Sequence, residues 1–456
     1  MLSLRWSDPY RRKSTDAQSI SEGTLSKSTF FNRQALHLRP DPARVVVRPF
    51  KPATEPRDFN PTDKSRANHI VDRVLALDSV TVAAQLADVL ENFLGRHRNL
   101  LEIFEARANE MEEAFAGHTP FTQDQRRLIG AYFLHEYSFE AAALFNPSIV
   151  SHPDQTGAPE GGRRFILSLR AVGEGHVSSL TFRTGFIAAD GNVSIDPPAR
   201  LAAVPKIVGL PPELNADHVE LAFRADEDIS ERVIFPVLPS QSNGVEDARF
   251  VEFIDAGEKI FYATYTAYTG RAIRSELLET RDFVTFRMSA LAGTAARNKG
   301  MALFPRRING QYAMIARQDN ENLYLIYSDD LHSWNGGQAI LKPRFPWEFV
   351  QIGNCGSPIE LDEGWLLLTH GVGPVRRYSI GAVLLDKADP SKILARSSEP
   401  LVRPEPSDRE GYVPNVVYTC GGMRHNDRII LPYAISDTFC SVATMKIAAL
   451  LDNLQS

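Results

Sequence analysis

The spacing of apolar positions changes twice along the chain and divides it into three parts. Residues 1–40 are polar and basic, which is typical of a flexible arm. In residues 41–140, the run ARVVVRPF at 43–50 predicts a strand, and the apolar positions after it follow an i, i+3, i+4 pattern. That pattern predicts two or three amphipathic helices. A further helix is predicted over 122–145, with Thr122 as its N-cap.

The third part, residues 141–456, consists of short apolar runs that end at Gly, Asp, Asn or Pro. Many runs come in pairs joined by a polar turn, such as DAGEK, INGQ, LDEGW and HNDR, and these pairs predict hairpins. The hairpins return every roughly 45 to 60 residues, so that about five units fit into this part. The sequence therefore predicts a mainly β fold, in which a five-bladed β-propeller follows an N-terminal α-helical module. A β-sandwich is the alternative.

Composition is typical of a soluble globular protein, with 456 residues of which 43% are hydrophobic and 23% charged. The net charge of −6 argues against a nucleic-acid partner. The widely spaced Cys355, Cys420 and Cys440 fit no metal-ligand or redox pattern, so we expect reduced thiols and no metal site. No run reaches the roughly 18 apolar residues of a membrane span, and the N-terminus lacks a signal-peptide core. We therefore expect no membrane partner and a cytoplasmic location.

In a propeller, the innermost strand of each blade ends at a central channel, so polar residues at those ends converge on one pocket. The run NGVEDARFVEF at 243–253 places Glu246, Asp247 and Arg249 at the mouth of an apolar strand. A carboxyl in apolar surroundings has a raised pKa, which an acid catalyst needs, so Asp247 is the candidate acid. The alternative interpretation is a solvated turn with a local ion pair.

Polar residues near the other predicted strand ends are mostly cationic. A ring of Arg, Lys and His around few acids indicates an anionic substrate such as phosphate, because guanidinium groups match its oxygens. Each candidate also has a structural interpretation: a strand-end Arg can form a surface ion pair, and His370 can lie in the core. Glu174 and His176 can simply cap a loop.

Several stretches, in order from FNPS at 145–148 to YAISDT at 433–438, resemble glycoside hydrolase family 130, the inverting mannoside phosphorylases and related hydrolases. Between them lie LRAVGEGHVSS, GVEDARF, NKGMALFPRRINGQYAMIAR, YLIYSDDLHSW, GSPIELDEGWLLLTHGVGPVRRYS and GYVPNVVY. The resemblance covers some two thirds of the chain and leaves out the helical module. It implies a five-bladed propeller. The family's acid motif, Glu-Asp-Pro-Arg, reads Glu246-Asp247-Ala248-Arg249 here, with Ala248 in place of proline.

The resemblance implies that Asp247 protonates the leaving oxygen through a hydroxyl of the bound mannose. Phosphate attacks the anomeric carbon from the opposite face and α-mannose 1-phosphate forms. Glu246 is implied to be structural, paired with Arg249 or another nearby cation. The implied phosphate ligands are Arg297, Lys299, Arg317, His370 and Tyr378. The implied sugar ligands are Asn146, Arg170 and Asp437, and Glu174 and His176 are further substrate-binding candidates.

The implied partners are a β-mannoside oligosaccharide, with β-1,2 and β-1,4 linkages both open, and inorganic phosphate as co-substrate. No cofactor is implied, and the helical addition favours a homo-oligomer. One alternative is an inverting β-mannoside hydrolase, which needs water and a second acid opposite Asp247. The other is a non-catalytic glycan-binding propeller, which would keep its sugar affinity after Asp247→Asn.

Overall fold

The computed structural model of the protein describes residues 31–53, 64–114, 121–208 and 218–455. The fold is mainly β, as predicted, and the helices lie mostly before residue 133. The helices are α1 (Arg66–Leu75), α2 (Ser79–Phe93), α3 (Leu100–Ala114), α4 (Gln123–Tyr132) and α5 (Ile447–Asp452). None of these described helices is both long and apolar enough to cross a membrane.

The first four helices pack through their apolar faces, with Val71, Val82, Leu128 and Phe133 buried in one cluster. Helices α3 and α4 cross so closely that a Cβ on Gly130 would lie 2.0 Å from the carbonyl oxygen of Phe104. This approach requires glycine at residue 130.

Helix α4 begins where the sequence predicted, because Thr122 accepts a hydrogen bond from the backbone N–H of Gln125 and forms a capping box with that residue. It ends at Tyr132, however, so the prediction of a helix over 122–145 is wrong beyond that point. Strand β3 (Leu134–Ser138) follows and pairs antiparallel with β2 (Val45–Pro49), which confirms the strand predicted at 43–50. Residues 134–138 form a strand because they pair with the distant strand β2, and the spacing of nearby apolar residues gives no sign of this pairing.

The remaining described strands form four sheets, of 11, 4, 5 and 5 strands. We divide the 11-stranded sheet at its one parallel strand pair and number the resulting five antiparallel sheet units in chain order. Unit one contains β4 (Ala143–Ser151), β5 (Arg163–Val172), β6 (Ser178–Ile187), β7 (Val193–Ile195) and β10 (Val233–Ile234). Unit two contains β8 (Lys206–Val208), β9 (His218–Ala222), β11 (Gly244–Asp255), β12 (Glu258–Tyr268), β13 (Ile273–Thr280) and β14 (Thr285–Ala290). A single parallel rung between Gly244 and Ser178 joins these two units.

Unit three contains β15 (Ala302–Leu303), β16 (Tyr312–Ala316), β17 (Leu323–Ser328) and β18 (Gln338–Leu341). Unit four contains β19 (Gln351–Asn354), β20 (Ile359–Glu360), β21 (Trp365–Gly373), β22 (Arg377–Leu385) and β23 (Ile393–Arg396). Unit five contains β24 (Val417–Tyr418), β25 (Met423–His425), β26 (Arg428–Ile435), β27 (Phe439–Lys446) and the early strand β1 (Phe31–Arg33).

Strand β1 pairs antiparallel with β27, so a segment from the start of the chain completes the last sheet unit. A backbone bridge between Leu38 and Cys440 extends this contact. The prediction of a flexible arm over residues 1–40 is therefore wrong for 31–40, and its first 30 residues lie outside the described part of the chain.

Five hydrophobic clusters lie between consecutive sheet units, and one of them connects unit five back to unit one. Buried side chains that represent these clusters are Phe182 and Phe250, Phe253 and Trp334, Phe304 and Trp365, Leu368 and Ile429, and Phe165 and Ile430. Each sheet unit therefore contributes to two of these clusters, one shared with each neighbouring unit. Its apolar side chains are buried on both faces of the sheet.

A buried ionic cluster fixes the N-terminal strand β2 to unit one. The carboxylate of Glu140 is fully buried and accepts hydrogen bonds from Arg44 at 3.1 Å and from Arg183 at 2.9 Å. Arg183 lies on β6, and burial lowers the pKa of its guanidinium to about 10. Because a buried charge without a partner is costly, both arginines depend on Glu140.

Candidate active site

A cavity of about 160 Å³ lies among residues from all five sheet units. Five cationic side chains and two carboxylates are among its lining residues. The lining residues are Asn146, Arg170, Asp247, Arg249, Lys299, Gly300, Arg317, Gly353, Asn354, His370, Arg376, Tyr378, Val416, Tyr418 and Asp437. The candidate residues that the sequence distributes over nearly 300 positions therefore converge on one place.

Two matching bulges bring an amide and a carboxylate together in this cavity. The register of β4 shifts between Phe145 and Ser148, and that of β11 shifts between Glu246 and Arg249. Asn146 and Asp247 occupy these bulges with φ of 50° and 55°, the left-handed conformation that Asn and Asp tolerate better than most residues. The bulges aim both side chains at the cavity, and Asn146 Nδ2 donates a hydrogen bond of 2.6 Å to Asp247 Oδ1.

Arg170 on β5 contacts two carboxylates of β11. Its Nη2 lies 2.6 Å from Glu246 Oε1, and its Nη1 lies 3.3 Å from Asp247 Oδ1. Its Nε donates to Ser178 Oγ at 2.9 Å, which fixes the plane of the guanidinium. Glu246 therefore pairs with Arg170, which is one of the nearby cations that the prediction allowed besides Arg249.

Arg249 supports the same site by binding the main chain of Asp247. Its Nη1 donates to the main-chain oxygen of Asp247 at 3.0 Å, and its Nη2 donates to the hydroxyl of Tyr418 at 2.9 Å. Tyr418 lies on β24 of unit five, so this contact connects units two and five and holds the bulge of β11 in place. Only 3% of Arg249 is exposed.

The pKa of Asp247 is shifted in the direction opposite to the one predicted. Burial pushes the pKa of this carboxyl up, but Arg170, Arg249 and the Asn146 hydrogen bond outweigh burial and hold it below its ordinary value. Burial raises the pKa of Glu246. It also raises the pKa of Asp437, together with the charge of Asp247, to about 7. Asp437 and not Asp247 is thus the lining carboxyl that titrates near neutral pH.

Units three and four supply the cationic side of the cavity. Lys299 precedes β15, Arg317 follows β16, and both line the cavity, where Lys299 forms no salt bridge with another described residue. The ring of His370 on β21 stacks on Tyr378 with 5.8 Å between ring centroids. Burial, and after it the charge of Arg317, lowers the pKa of His370 well below its ordinary value, so this imidazole is neutral.

Three predicted site residues do not line the cavity. Arg297 ends a short 3₁₀ turn before Lys299, and its side chain is exposed. Glu174 and His176 lie in the exposed loop between β5 and β6, where His176 Nδ1 is hydrogen-bonded to the hydroxyl of Tyr412 at 2.7 Å. Since β5 carries Arg170 and β6 begins at Ser178, this loop lies at the rim of the cavity.

Asn354 and Tyr418 line the cavity but were not selected from the sequence. Tyr418 lies in the run GYVPNVVY, which is part of the family resemblance but contained no predicted site residue. Arg376 was noted only as one of several strand-end cations, and it lies over the Tyr378 ring at 5.8 Å from the centroid. Within the described residues, no group of three or more His, Cys, Asp or Glu side chains is arranged to hold a metal ion.

The arrangement combines one hydrogen-bonded carboxylate with cations that have unused donors. The Nε atoms of Arg249 and Arg317, and Oδ1 of Asn146, are buried polar atoms without a hydrogen-bond partner among the described residues. Buried polar groups in native proteins are normally paired, so unpaired groups around a cavity indicate a polar ligand. Guanidinium and ammonium groups bind oxyanions in particular.

We expect Asp437→Asn to alter the pH dependence of stability. Because the folded-state pKa of Asp437 is raised, folding favours its protonated form, and this stabilisation is lost as the pH rises from about 4 through about 7. Asn mimics the protonated carboxyl, so the variant should gain stability over wild type across that window, by roughly 4 kcal/mol at most. Thermal melts of the ligand-free protein between pH 4 and 8 measure the difference.

The control for this experiment is Asp362→Asn, which changes a carboxylate that is 83% exposed. Its effect on the melting temperature should stay small at every pH. A difference between Asp437→Asn and wild type that is constant from pH 4 to 8 would contradict the raised pKa.

The chain is similar to a protein-family profile, to several characterised relatives and to solved structures. The family profile described as beta-1,4-mannooligosaccharide phosphorylase matches residues 224–456, half of the chain. A 1,2-beta-oligomannan phosphorylase from Thermoanaerobacter sp. strain X514 is 35% identical over 220 residues, which are 46% of this chain and 72% of the relative. A beta-1,2-mannobiose phosphorylase from Listeria innocua is 28% identical over 281 residues, 58% of this chain and 77% of the relative.

A beta-1,4-mannooligosaccharide phosphorylase from Ruminococcus albus is 32% identical over 213 residues, 44% of this chain and 63% of the relative. Among solved structures, the Listeria innocua beta-1,2-mannobiose phosphorylase in complex with beta-1,2-mannobiose is similar in fold. Its TM-score is 0.50 at 20% identity, with 69% of this chain and 92% of that chain covered. The match of the family profile to residues 224–456, half of the chain, shows that the chain belongs to glycoside hydrolase family 130.

Proposed function

We propose that the protein is an inverting glycoside phosphorylase that cleaves β-mannosides with inorganic phosphate and releases α-mannose 1-phosphate. The observation that carries this proposal is the mixed lining of the cavity. Asn146, Arg170 and Asp437, from units one and five, interact with Asp247. Unit three adds the cations Lys299 and Arg317. The relatives named above, all phosphorylases of mannosides, support it.

The fold that we propose is a five-bladed β-propeller in which sheet units one to five are the blades. The five hydrophobic clusters between consecutive units support this arrangement, because they connect the units in a closed order. The pairing of β1 with β27 would close the ring with a strand from the other end of the described chain. That the N-terminal helices form a separate module, that the protein is a homo-oligomer and that it is cytoplasmic all stay predictions.

In the proposed reaction, mannose lies against Asn146, Arg170 and Asp437. The carboxyl of Asp247 transfers a proton, by way of a mannose hydroxyl, to the oxygen of the bond that breaks. An oxygen of HPO₄²⁻ attacks the anomeric carbon from the opposite face, so the configuration inverts and no general base is needed. Over a full turnover, the hydrogen of HPO₄²⁻ replaces the proton that Asp247 gave to the leaving sugar.

The lowered pKa of Asp247 raises the question of how this carboxyl becomes protonated. In the free protein, Arg170 and Arg249 favour its ionised form. A phosphate dianion among Lys299 and Arg317 would add negative charge beside the carboxyl, and a nearby like charge raises the pKa of an acid. We therefore propose that phosphate has two roles: it is the nucleophile, and its charge favours the proton on Asp247.

The hydrolase alternative needs a carboxylate that activates water on the face opposite the acid. Asp437 is the other carboxylate that lines the cavity, and its pKa responds to the charges of Asp247 and Arg170, so it lies near the acid and the acid's ion-pair partner. This placement supports phosphorolysis. For the linkage, we propose β-1,2-mannosides first, because two of the relatives reported above act on that linkage, and β-1,4-mannosides second.

The experiment that tests the proposal compares sugar release from β-1,2- and β-1,4-mannobiose with and without phosphate. Wild type should form α-mannose 1-phosphate only when phosphate is present. Asp247→Asn should lower kcat by about 10²- to 10⁴-fold, because proton transfer to the leaving oxygen is lost. The control is Asp255→Asn, at the far end of the same strand, where Asp255 pairs with Arg307 on the surface.

Free mannose formed equally well without phosphate would contradict the proposal and favour a hydrolase. No turnover of any β-mannoside, together with sugar affinity that Asp247→Asn leaves intact, would favour a glycan-binding propeller.

A second prediction separates the two arginines that the family resemblance implied as phosphate ligands. Arg317→Met should raise the KM for phosphate by about 10- to 100-fold, because a charge-assisted contact is removed, while the KM for the mannoside changes little. Arg297→Met is the matched control, since Arg297 is exposed and does not line the cavity. Initial rates over a phosphate series measure both variants. Equal effects of the two substitutions would contradict this assignment.

A further inference from the structure

We propose that Tyr137, on strand β3 outside the five sheet units, is a positioning residue for the leaving sugar. Its hydroxyl holds the loop of residues 173–177, which we call the rim loop, so that His176 and Tyr412 together form a contact surface for that sugar. This inference rests on the proposed phosphorolysis, because it assigns a place to the sugar that phosphate displaces. It gives the N-terminal strand pair β2–β3 a part in substrate binding.

The rim loop connects β5 to β6 in unit one, and a loop of the same conformation connects β21 to β22 in unit four. In the rim loop, Gly175 and His176 have φ of 68° and 58°. Val375 and Arg376 have φ of 56° and 53° in the loop of unit four. Arg376 lines the cavity that all five units surround. By the same geometry, His176 faces the mouth of this cavity from unit one.

His176 is joined at the mouth to a second ring, that of Tyr412. His176 Nδ1 lies 2.7 Å from the Tyr412 hydroxyl, and the ring centroids are 5.8 Å apart. The backbone N–H of Tyr412 donates to Thr438 Oγ1 at 2.7 Å. A Cβ on Gly411 would lie 2.4 Å from the same Oγ1, so the chain passes closely over the turn that contains Asp437. The two rings therefore lie beside a proposed mannose ligand.

The proposed reaction fixes the direction in which the leaving sugar extends. Its oxygen takes the proton that Asp247 supplies inside the cavity, and phosphate occupies the opposite face of the mannose. The leaving sugar must therefore extend toward the mouth, past the rim of units one and five. Tyr and His rings combine an apolar face with a polar edge, which suits the C–H groups and hydroxyls of a sugar. Tyr412 is 45% exposed, so its ring is accessible there.

Tyr137 supports this surface from β3. Its hydroxyl donates to the carbonyl oxygen of Glu174 in the rim loop at 2.8 Å, and only 4% of Tyr137 is exposed. The ring meets Phe235 edge-on with 5.8 Å between centroids, and the guanidinium of Arg48 lies over it at 5.1 Å. The backbone of Tyr137 pairs with Val46 of β2. The hydroxyl is thus held in one place and gives the rim loop a fixed contact.

The first residue of the rim loop packs against the same strand. A Cβ on Gly173 would lie 2.3 Å from the carbonyl oxygen of Ser138 and 2.8 Å from the Tyr137 hydroxyl, so this approach requires glycine. Ser138 Oγ donates to the carbonyl of Pro42 at 2.9 Å, which fixes β3 in turn. The positive φ of His176 is a less favoured conformation that depends on such surrounding contacts.

The test runs the proposed reaction in reverse, with α-mannose 1-phosphate as the donor and mannose as the acceptor. The acceptor then occupies the place of the leaving sugar, and phosphate is released. Tyr137→Phe keeps the packed ring and removes only the hydroxyl. We expect it to raise the KM for mannose by about three- to tenfold, as for the loss of one hydrogen bond. The KM for α-mannose 1-phosphate and kcat should stay within about twofold, because the contacts of the reacting groups are unchanged.

A double substitution distinguishes positioning from a general structural role. His176→Ala should also raise the KM for mannose. Adding Tyr137→Phe to His176→Ala should raise it little further, because Tyr137 acts through the loop that presents the His176 ring. Independent effects of the two substitutions would instead add in free energy.

The matched control is Tyr262→Phe, which removes the hydroxyl of another buried tyrosine, in the cluster between units two and three. It should leave both KM values unchanged, and thermal melts identify a general loss of stability. The inference is wrong if Tyr137→Phe leaves the KM for mannose unchanged, if it raises both KM values equally, or if its effect adds fully to that of His176→Ala. If wild type shows no phosphate-dependent reaction in either direction, the proposed function fails, and the inference fails with it.

Discussion

The contact of Arg170 with Glu246 and Asp247 is the interaction on which the rest of the site depends. Two adjacent carboxylates that are both largely buried repel each other, and burial alone would favour their neutral forms. A single guanidinium with one nitrogen on each carboxylate removes that conflict. It also joins unit one to unit two at the cavity, because Arg170 lies on β5 and both carboxylates lie on β11.

The bulges of β4 and β11 follow from the same constraint. A regular strand would point alternate side chains away from the channel, whereas one extra residue in each strand turns Asn146 and Asp247 toward each other. The hydrogen bond from Phe250 N–H to Ser148 Oγ at 3.0 Å connects the strands just beyond the two bulges. Contacts from both sheet units thereby hold the backbone of Asn146 and Asp247 in its less favoured, left-handed conformation. The consequence is that the position of the Asp247 carboxylate is fixed by both sheet units.

Part of this site could be predicted from local sequence. The features that could not be predicted depend on residues that are distant in the chain. The runs FNPS and EDAR led to Asn146 and Asp247, because a polar residue beside an apolar run can be recognised from the sequence alone. The pKa direction of Asp247 was wrong because the dominant cation, Arg170, lies 77 residues earlier in the chain. The end of α4 was missed for a similar reason, since β3 is defined by its pairing with β2.

Arg297 illustrates the limit of motif reading. It lies two residues before Lys299, yet Arg297 is exposed at the end of a 3₁₀ turn, whereas Lys299 lines the cavity. Tyr418 carried no chemical signal of its own. Its role comes only from the 2.9 Å contact with Arg249 across 169 residues.

The account makes the charge of bound phosphate responsible for the proton on Asp247, and calorimetry tests this claim most directly. Phosphate is titrated into the mannose-saturated protein in two buffers of different ionisation enthalpy at one pH, for wild type and for Asp247→Asn. The difference between the two proteins cancels the ionisation of phosphate itself. Wild type should take up more protons than Asp247→Asn when phosphate binds. Equal proton uptake by the two proteins would contradict the account.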